Sequence, residues 1–158
     1  MANKLFVFLE QRDGIIKKSS FEAASAAVSL AKQLNIQADG VLVGSDATNL
    51  DDVKTVGLNK IVFVKNNDLA LYSPTAYRDL VVAEIKESSP AIVLFSNTSL
   101  GKDLAPRVSV KLNSGCLMDC TSIEFTDGKL IATRPVYAGK SFIKTKITSE
   151  GKIFTLRP

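Results

Sequence analysis

The sequence predicts an α/β fold. Residues 1–158 are read as a single domain, a three-layer, doubly wound, mainly parallel sheet with antiparallel strands added toward the C-terminal end. Three observations carry this. Near-continuous apolar runs at 4–10, 41–44, 60–65 and 91–95 read as strands covered on both faces. Stretches of helical periodicity alternate with them, which is the grammar of βαβ units. After Gly115 the pattern changes to short strand-like runs divided by Asp-Gly and Glu-Gly turns, the mark of hairpins.

Each element has its own reason. The first strand, 4–10, passes into a turn at Arg12-Asp13-Gly14. Ser19 or Ser20 is expected to cap a helix over about 21–34, with Glu22 in its first turn. Phe21, Ala24, Val28, Ala31 and Leu34 share one side of that helix, and its many alanines and serines suit close packing on a sheet. The second strand, 41–44, leads through Ser45-Asp46-Ala47-Thr48 to a short helix over about 49–56 that stops at Gly57. The third strand is 60–65. Pro74 fits the first turn of a helix running to about residue 87, and Pro90 ends that stretch before the fourth strand at 91–95.

A polar loop, 96–102, then opens a helix over about 103–112, with Pro106 placed in its first turn, where a missing N–H costs little. Beyond Gly115, strands are expected at 120–125, 130–136, 141–148 and 153–156. Ile143, Thr145 and Ile147 alternate with Lys144 and Lys146, so the first set is expected to face inward. One antiparallel strand or hairpin of this group is expected to join the edge of the parallel sheet. No linker, low-complexity run or internal repeat divides the chain.

Composition narrows the chemistry. The chain has 158 residues, 46% hydrophobic and 23% charged, the proportions of an ordinary globular domain with a sizeable core. No apolar run approaches the ~20 residues of a membrane span. The start, Met1-Ala2-Asn3-Lys4, passes directly into the first strand, so a buried strand is expected there and not a signal peptide. Histidine is absent, which removes the commonest general base and metal ligand and every Ser-His or Cys-His nucleophile pair within the chain. Cys116 and Cys120 are four apart, where a redox pair favours Cys-x-x-Cys and a zinc site needs more ligands, so two buried thiols in a reducing compartment are expected and no metal. The net charge of +4 is uneven. Residues 1–128 hold 13 Lys/Arg and 15 Asp/Glu, net −2; residues 129–158 hold seven Lys/Arg and Glu150 alone, net +6. That end is either a solvated face or a surface for an acidic partner, a second domain or a phosphate-bearing ligand. Nothing in the pattern suggests nucleic acid.

Ligands of such sheets gather at the carboxyl ends of the strands. There the loop Ser96–Lys102 either opens a helix whose amides suit an anion, with Lys102 adding charge, or uses its Asn, Ser and Thr simply to cap that helix. It departs from a phosphate loop twice: Ser96 replaces the first glycine and Asp103 the magnesium-binding hydroxyl. After the first strand only Gly14 remains of a dinucleotide fingerprint. Arg107, Asp119, Arg134 and Arg157 are left as a charged set. It is either structural, with Asp119 paired to one of the arginines, or a contact with a second domain or partner subunit. Tyr137-Ala138-Gly139 reads as a tight turn whose glycine admits a neighbouring backbone.

The ordered series Leu-Gly-Lys-Asp-Leu-Ala-Pro-Arg (100–107), Met118-Asp119, Arg134-Pro135-Val136-Tyr137-Ala138-Gly139-Lys140 and Phe154-Thr155-Leu156-Arg157-Pro158 resembles the amino-terminal domain of electron transfer flavoprotein alpha subunits, from Phe6 to Pro158. The resemblance implies a Rossmann-like, adenine nucleotide alpha hydrolase-like fold. It implies a cytoplasmic scaffold and docking domain that forms a heterodimer with a beta subunit. Their complex takes electrons from flavoprotein dehydrogenases, such as the acyl-CoA dehydrogenases of fatty acid beta-oxidation, and passes them to a quinone oxidoreductase. FAD is then expected in a carboxy-terminal domain beyond Pro158, with none held by this chain alone and no catalytic residue within it. Arg107, Asp119, Arg134, Tyr137, Gly139 and Arg157 are its expected interface or domain contacts. The family's Tyr-Ala-Gly-Asn-Ala tract here has Lys140-Ser141 in its last two places. Two other classes stay open: an adenine-nucleotide-binding module of the universal-stress type, and an enzyme using Cys116 or Cys120 as nucleophile.

Overall fold

The computed structural model describes residues 3–158; Met1 and Ala2, at the expected strand-initiating start, lie outside the described residues. Strand β1 (Lys4–Leu9) is followed by a hairpin of β2 (Gln11–Arg12) and β3 (Ile15–Ile16), turned at Asp13 and Gly14, both with positive φ. Helix α1 (Lys18–Leu34), β4 (Gln37–Gly44), α2 (Leu50–Lys54), β5 (Lys60–Lys65), α3 (Pro74–Ser88), β6 (Ile92–Ser96) and α4 (Ser99–Leu112) continue the alternation. Then β7 (Gly115–Cys120), β8 (Ser122–Thr126), β9 (Lys129–Val136), β10 (Ser141–Thr145) and β11 (Lys152–Leu156) follow without an intervening helix.

The central sheet is six-stranded, in the order β5-β4-β1-β6-β11-β7, and every pairing in it is parallel. Successive residues of β1 feed opposite layers, as strand geometry requires. Leu5, Val7 and Leu9 pack on the side of Ala23, Ala24, Ala27, Leu30 and Ala31 of α1. Phe6 and Phe8 pack on the other, with Tyr77 and Val81 of α3 and Leu104 and Val108 of α4. The small α1 side chains let that helix lie close to the sheet, as the composition suggested. Ser73 caps α3 through its hydroxyl, which accepts from the Ala76 amide at 3.4 Å, and Pro74 occupies the first helical position.

Several expectations change. Neither Ser19 nor Ser20 caps α1, which starts after Lys17; the buried Ser20 hydroxyl instead accepts from the Glu10 amide at 2.7 Å. Pro106 is not in a first turn. Thr98 accepts from the Gly101 amide at 3.1 Å, so α4 begins at Ser99 and Pro106 falls inside it, costing the interior bond to the Lys102 carbonyl. No hairpin joins the edge of the parallel sheet. Strands β8, β9 and β10 form their own antiparallel sheet, and β11 enters the main sheet between β6 and β7, parallel to both. The three-stranded sheet thus serves as the crossover that a helix provides elsewhere. Ile153, Phe154 and Thr155 are all buried in β11, which suits a central strand. Of the residues expected to face inward on the third hairpin strand, Ile147 packs on the core but Ile143 is 43% exposed.

Candidate functional site

At the carboxyl ends of β6, β7 and β11, side chains from far apart in sequence close a ring of hydrogen bonds. The register between β7 and β11 shifts near Phe154 and Leu156, and Asp119 sits in that irregularity with φ 61°. Aspartate tolerates the left-handed region better than most residues. The Asp119 amide donates to Thr155 Oγ1 at 2.8 Å, and the Thr155 hydroxyl donates to Asn97 Oδ1 at 2.8 Å. Asn97 Nδ2 donates back to Asp119 Oδ1 at 2.9 Å. Arg157 completes the arrangement as a two-toothed fork, Nε to Oδ1 at 2.8 Å and a terminal nitrogen to Oδ2 at 2.7 Å. The Arg157 hydrogen bonds first, then its charge and those of Lys102 and Arg134, hold the Asp119 carboxyl below its ordinary range against the opposing effect of burial.

The six expected contact residues therefore divide. Asp119 and Arg157 pair with each other. Arg107 does not join them; it makes an i,i+4 ion pair with Asp103 at 3.1 Å, and Tyr72 donates to the same carboxylate at 2.7 Å. Arg134, on β9, acts on Asp119 through its charge, while its buried Nε has no hydrogen-bond partner. Tyr137 and Gly139 lie in the β9–β10 turn, where Tyr137, Ala138 and Gly139 all have positive φ. The glycine serves this backbone angle, φ 83°, and not a close approach, because a Cβ there would meet nothing within 4 Å. Tyr137 is 81% exposed, and β10 beside it exposes Phe142 (62%) as well as Ile143.

The loop Ser96–Lys102, open between anion holding and helix capping, caps α4 through Thr98 and is served from within. Glu10 is 6% exposed; it accepts from the Thr98 hydroxyl and pairs with Lys17 at 3.3 Å. Gly101 is needed here for space, since a Cβ would lie 1.8 Å from the Ser96 carbonyl oxygen. The adjoining cleft, about 530 Å³, is lined by Glu10, Asp13 and Asp103 against Arg12 and Lys17. A nucleotide phosphate or the pyrophosphate of FAD would meet a carboxylate where the sequence suggested an amide cradle, so these residues do not fit either group.

Burial pushes both thiols, Cys116 and Cys120, up to about 11, so neither is a ready thiolate at neutral pH. Among the described residues there is no group of three or more Asp, Glu, Cys or His placed to hold a metal ion, and no helix is long and apolar enough to cross a membrane. Sequence reasoning missed Asn97 and Thr155 as partners of Asp119, and Phe142 as an exposed side chain. The polar loop after the fourth strand pointed to Asn97; nothing local marked the other two.

Residues 5–158 match the electron transfer flavoprotein domain. The chain is 35% identical over 154 residues to the electron transfer flavoprotein subunit alpha of Syntrophomonas wolfei, covering 97% of this chain and 47% of that protein. It is 30% identical over 160 residues to that of Bacillus subtilis, covering 100% and 48%. It is 27% identical over 128 residues to the acryloyl-CoA reductase electron transfer subunit beta of Anaerotignum propionicum, covering 80% and 35%. The chain spans half or less of the length of each of these relatives.

Proposed function

The chain belongs to the electron transfer flavoprotein family, and from that premise we propose that it is the scaffold and docking domain of an alpha subunit, working through the surfaces it presents. The observation that carries this is the β9–β10 face. A two-sided exposed strand bears Phe142 and Ile143, and Tyr137 stands on the adjoining turn. Lys140 and Lys144 give the same strand and its turn a positive charge that favours an acidic counterpart.

In this reading the partner is an electron transfer flavoprotein beta subunit, and the flavin is carried on polypeptide other than residues 1–158. The Asp119–Arg157 pair fixes the carboxyl end of β11. The chain has no catalytic group of its own: histidine is absent and the thiols are raised. The heterodimer would act in the cytoplasm between flavoprotein dehydrogenases and a quinone oxidoreductase. The named role of the Anaerotignum propionicum relative supports the electron-transfer part. The three carboxylates of the cleft weigh against an adenine-nucleotide module.

The test is co-expression with a beta subunit from the same organism. Association is expected, and Tyr137→Ser with Phe142→Ser should weaken it by roughly tenfold or more, about 1.4 kcal/mol, with the circular dichroism spectrum unchanged. A chain that purifies yellow with bound flavin, or one that ignores every cognate beta subunit, overturns the proposal.

A further inference from the structure

A second site lies at the opposite end of the sheet, at the amino ends of the strands. A groove of about 540 Å³ opens there between the main body and the β8–β9 hairpin. Leu34, Ile36, Ala91 and Ile92 line it from one side, and Leu130 and Ile147 from the other. Phe125, 40% exposed, stands on the hairpin wall. Three lysines, Lys129, Lys146 and Lys152, complete the lining, and it includes no carboxylate. The sequence neighbours Asp127 and Glu150 stay outside it.

Among the described residues none of these lysines makes an ion pair. Lys152 Nζ donates to the Ser149 and Glu150 carbonyls at 2.7 and 3.1 Å, which fixes the ammonium and leaves it one free N–H. Lys129 and Lys146 are exposed. Lys152 begins β11 and Arg157 follows its end, so the groove is about 16 Å of extended chain from the Asp119–Arg157 ring.

We infer that this groove binds a small amphipathic anion, an apolar body bearing a single carboxylate-type headgroup. An apolar lining with a few charged groups on one side is how small-ligand pockets combine affinity with orientation, and the volume falls in their usual range of roughly 300–1,000 Å³. The lysines supply the charge complement. Apart from them, side-chain polarity in the lining is limited to Asn3, Asn35 and little else, too few partners for a sugar or a base. The chemistry is distinct from the docking face, and its test does not depend on any partner.

Decanoate, decanol and inorganic phosphate serve as probes, titrated into the 158-residue chain by calorimetry and by amide NMR. Decanoate should bind roughly tenfold or more tightly than decanol, and phosphate should not bind at the same concentration. Amide shifts should cluster at Leu34–Ile36 and at Lys129 and Leu130. Lys129→Gln with Lys146→Gln should cost decanoate roughly tenfold and leave decanol unchanged, whereas Ile147→Ser should weaken both. Both variants should keep the parent circular dichroism spectrum. Equal affinity for decanoate and decanol, full affinity in the double lysine variant, or shifts at the Asp119–Arg157 end would each overturn the assignment.

Discussion

Strands β6 and β10 are each five residues long, and each carries phenylalanine and β-branched side chains. All five residues of β6, Ile-Val-Leu-Phe-Ser, are buried. Four of the five of β10, Ser-Phe-Ile-Lys-Thr, are exposed. Their composition does not separate them so sharply; their neighbours do. β6 lies between β1 and β11 with helices on both faces, while β10 is an edge strand of a three-stranded sheet with no cover. Apolar side chains left on an edge strand are a liability that folds normally blunt. Their presence here is understandable if stability is vested in the parallel sheet and recognition in the antiparallel one.

The largest expected effect lies on the buried side of this contrast. Phe154 on β11, 0% exposed, anchors the middle of the main sheet. Phe154→Ala should cost about 3–5 kcal/mol and lower the melting temperature by roughly 10 °C, read by thermal denaturation. A loss below 1 kcal/mol would mean that β11 is not the central strand described here.

A smaller effect is expected at the junction between the two sheets. Asp119→Asn removes a bidentate pair whose side chains are 30% and 51% exposed, so solvent screening keeps the loss well below that of Phe154→Ala. The sign with pH follows from the lowered Asp119 carboxyl. Its contribution is fully present above the ordinary value of 3.8 and is lost as pH falls through the lower folded value. Denaturant midpoints for parent and variant should therefore differ most at neutral pH and converge in acid. A gap that widened in acid would refute the pairing.

The smallest stability effect is expected on the exposed side. Phe142→Ala should change stability by no more than about 0.5 kcal/mol, as for most surface substitutions, while weakening association with a beta subunit. Destabilisation as large as that of Phe154→Ala would erase the distinction between the two sheets. Unchanged association would leave the edge strand without its proposed role.

How much was legible beforehand varied with the range of the interaction involved. The α/β alternation was readable because strand and helix periodicities are local, and so was the start of α3, where Ser73 and Pro74 sit side by side. The charged residues of the candidate site were identifiable by type. Their partners were not: Arg157 reaches Asp119 across 38 residues, and Thr98 reaches Glu10 across 88. The capping of the loop after the fourth strand was legible for the opposite reason, being local, whereas the Glu10 carboxylate that faces it comes from the first strand.

The sequence alone determined the layers: apolar runs long enough to be strands, alanine-rich helices narrow enough to cover them, and a change to hairpins after Gly115. Tertiary structure alone decided that the last strand inserts between β6 and β7, that Arg134 is left with an unmatched donor, and that three lysines meet around one apolar groove. The physical reason is that periodicity reports which face of an element wants cover. What provides that cover depends on contacts between residues far apart in the chain, and those exist only once the chain has closed on itself.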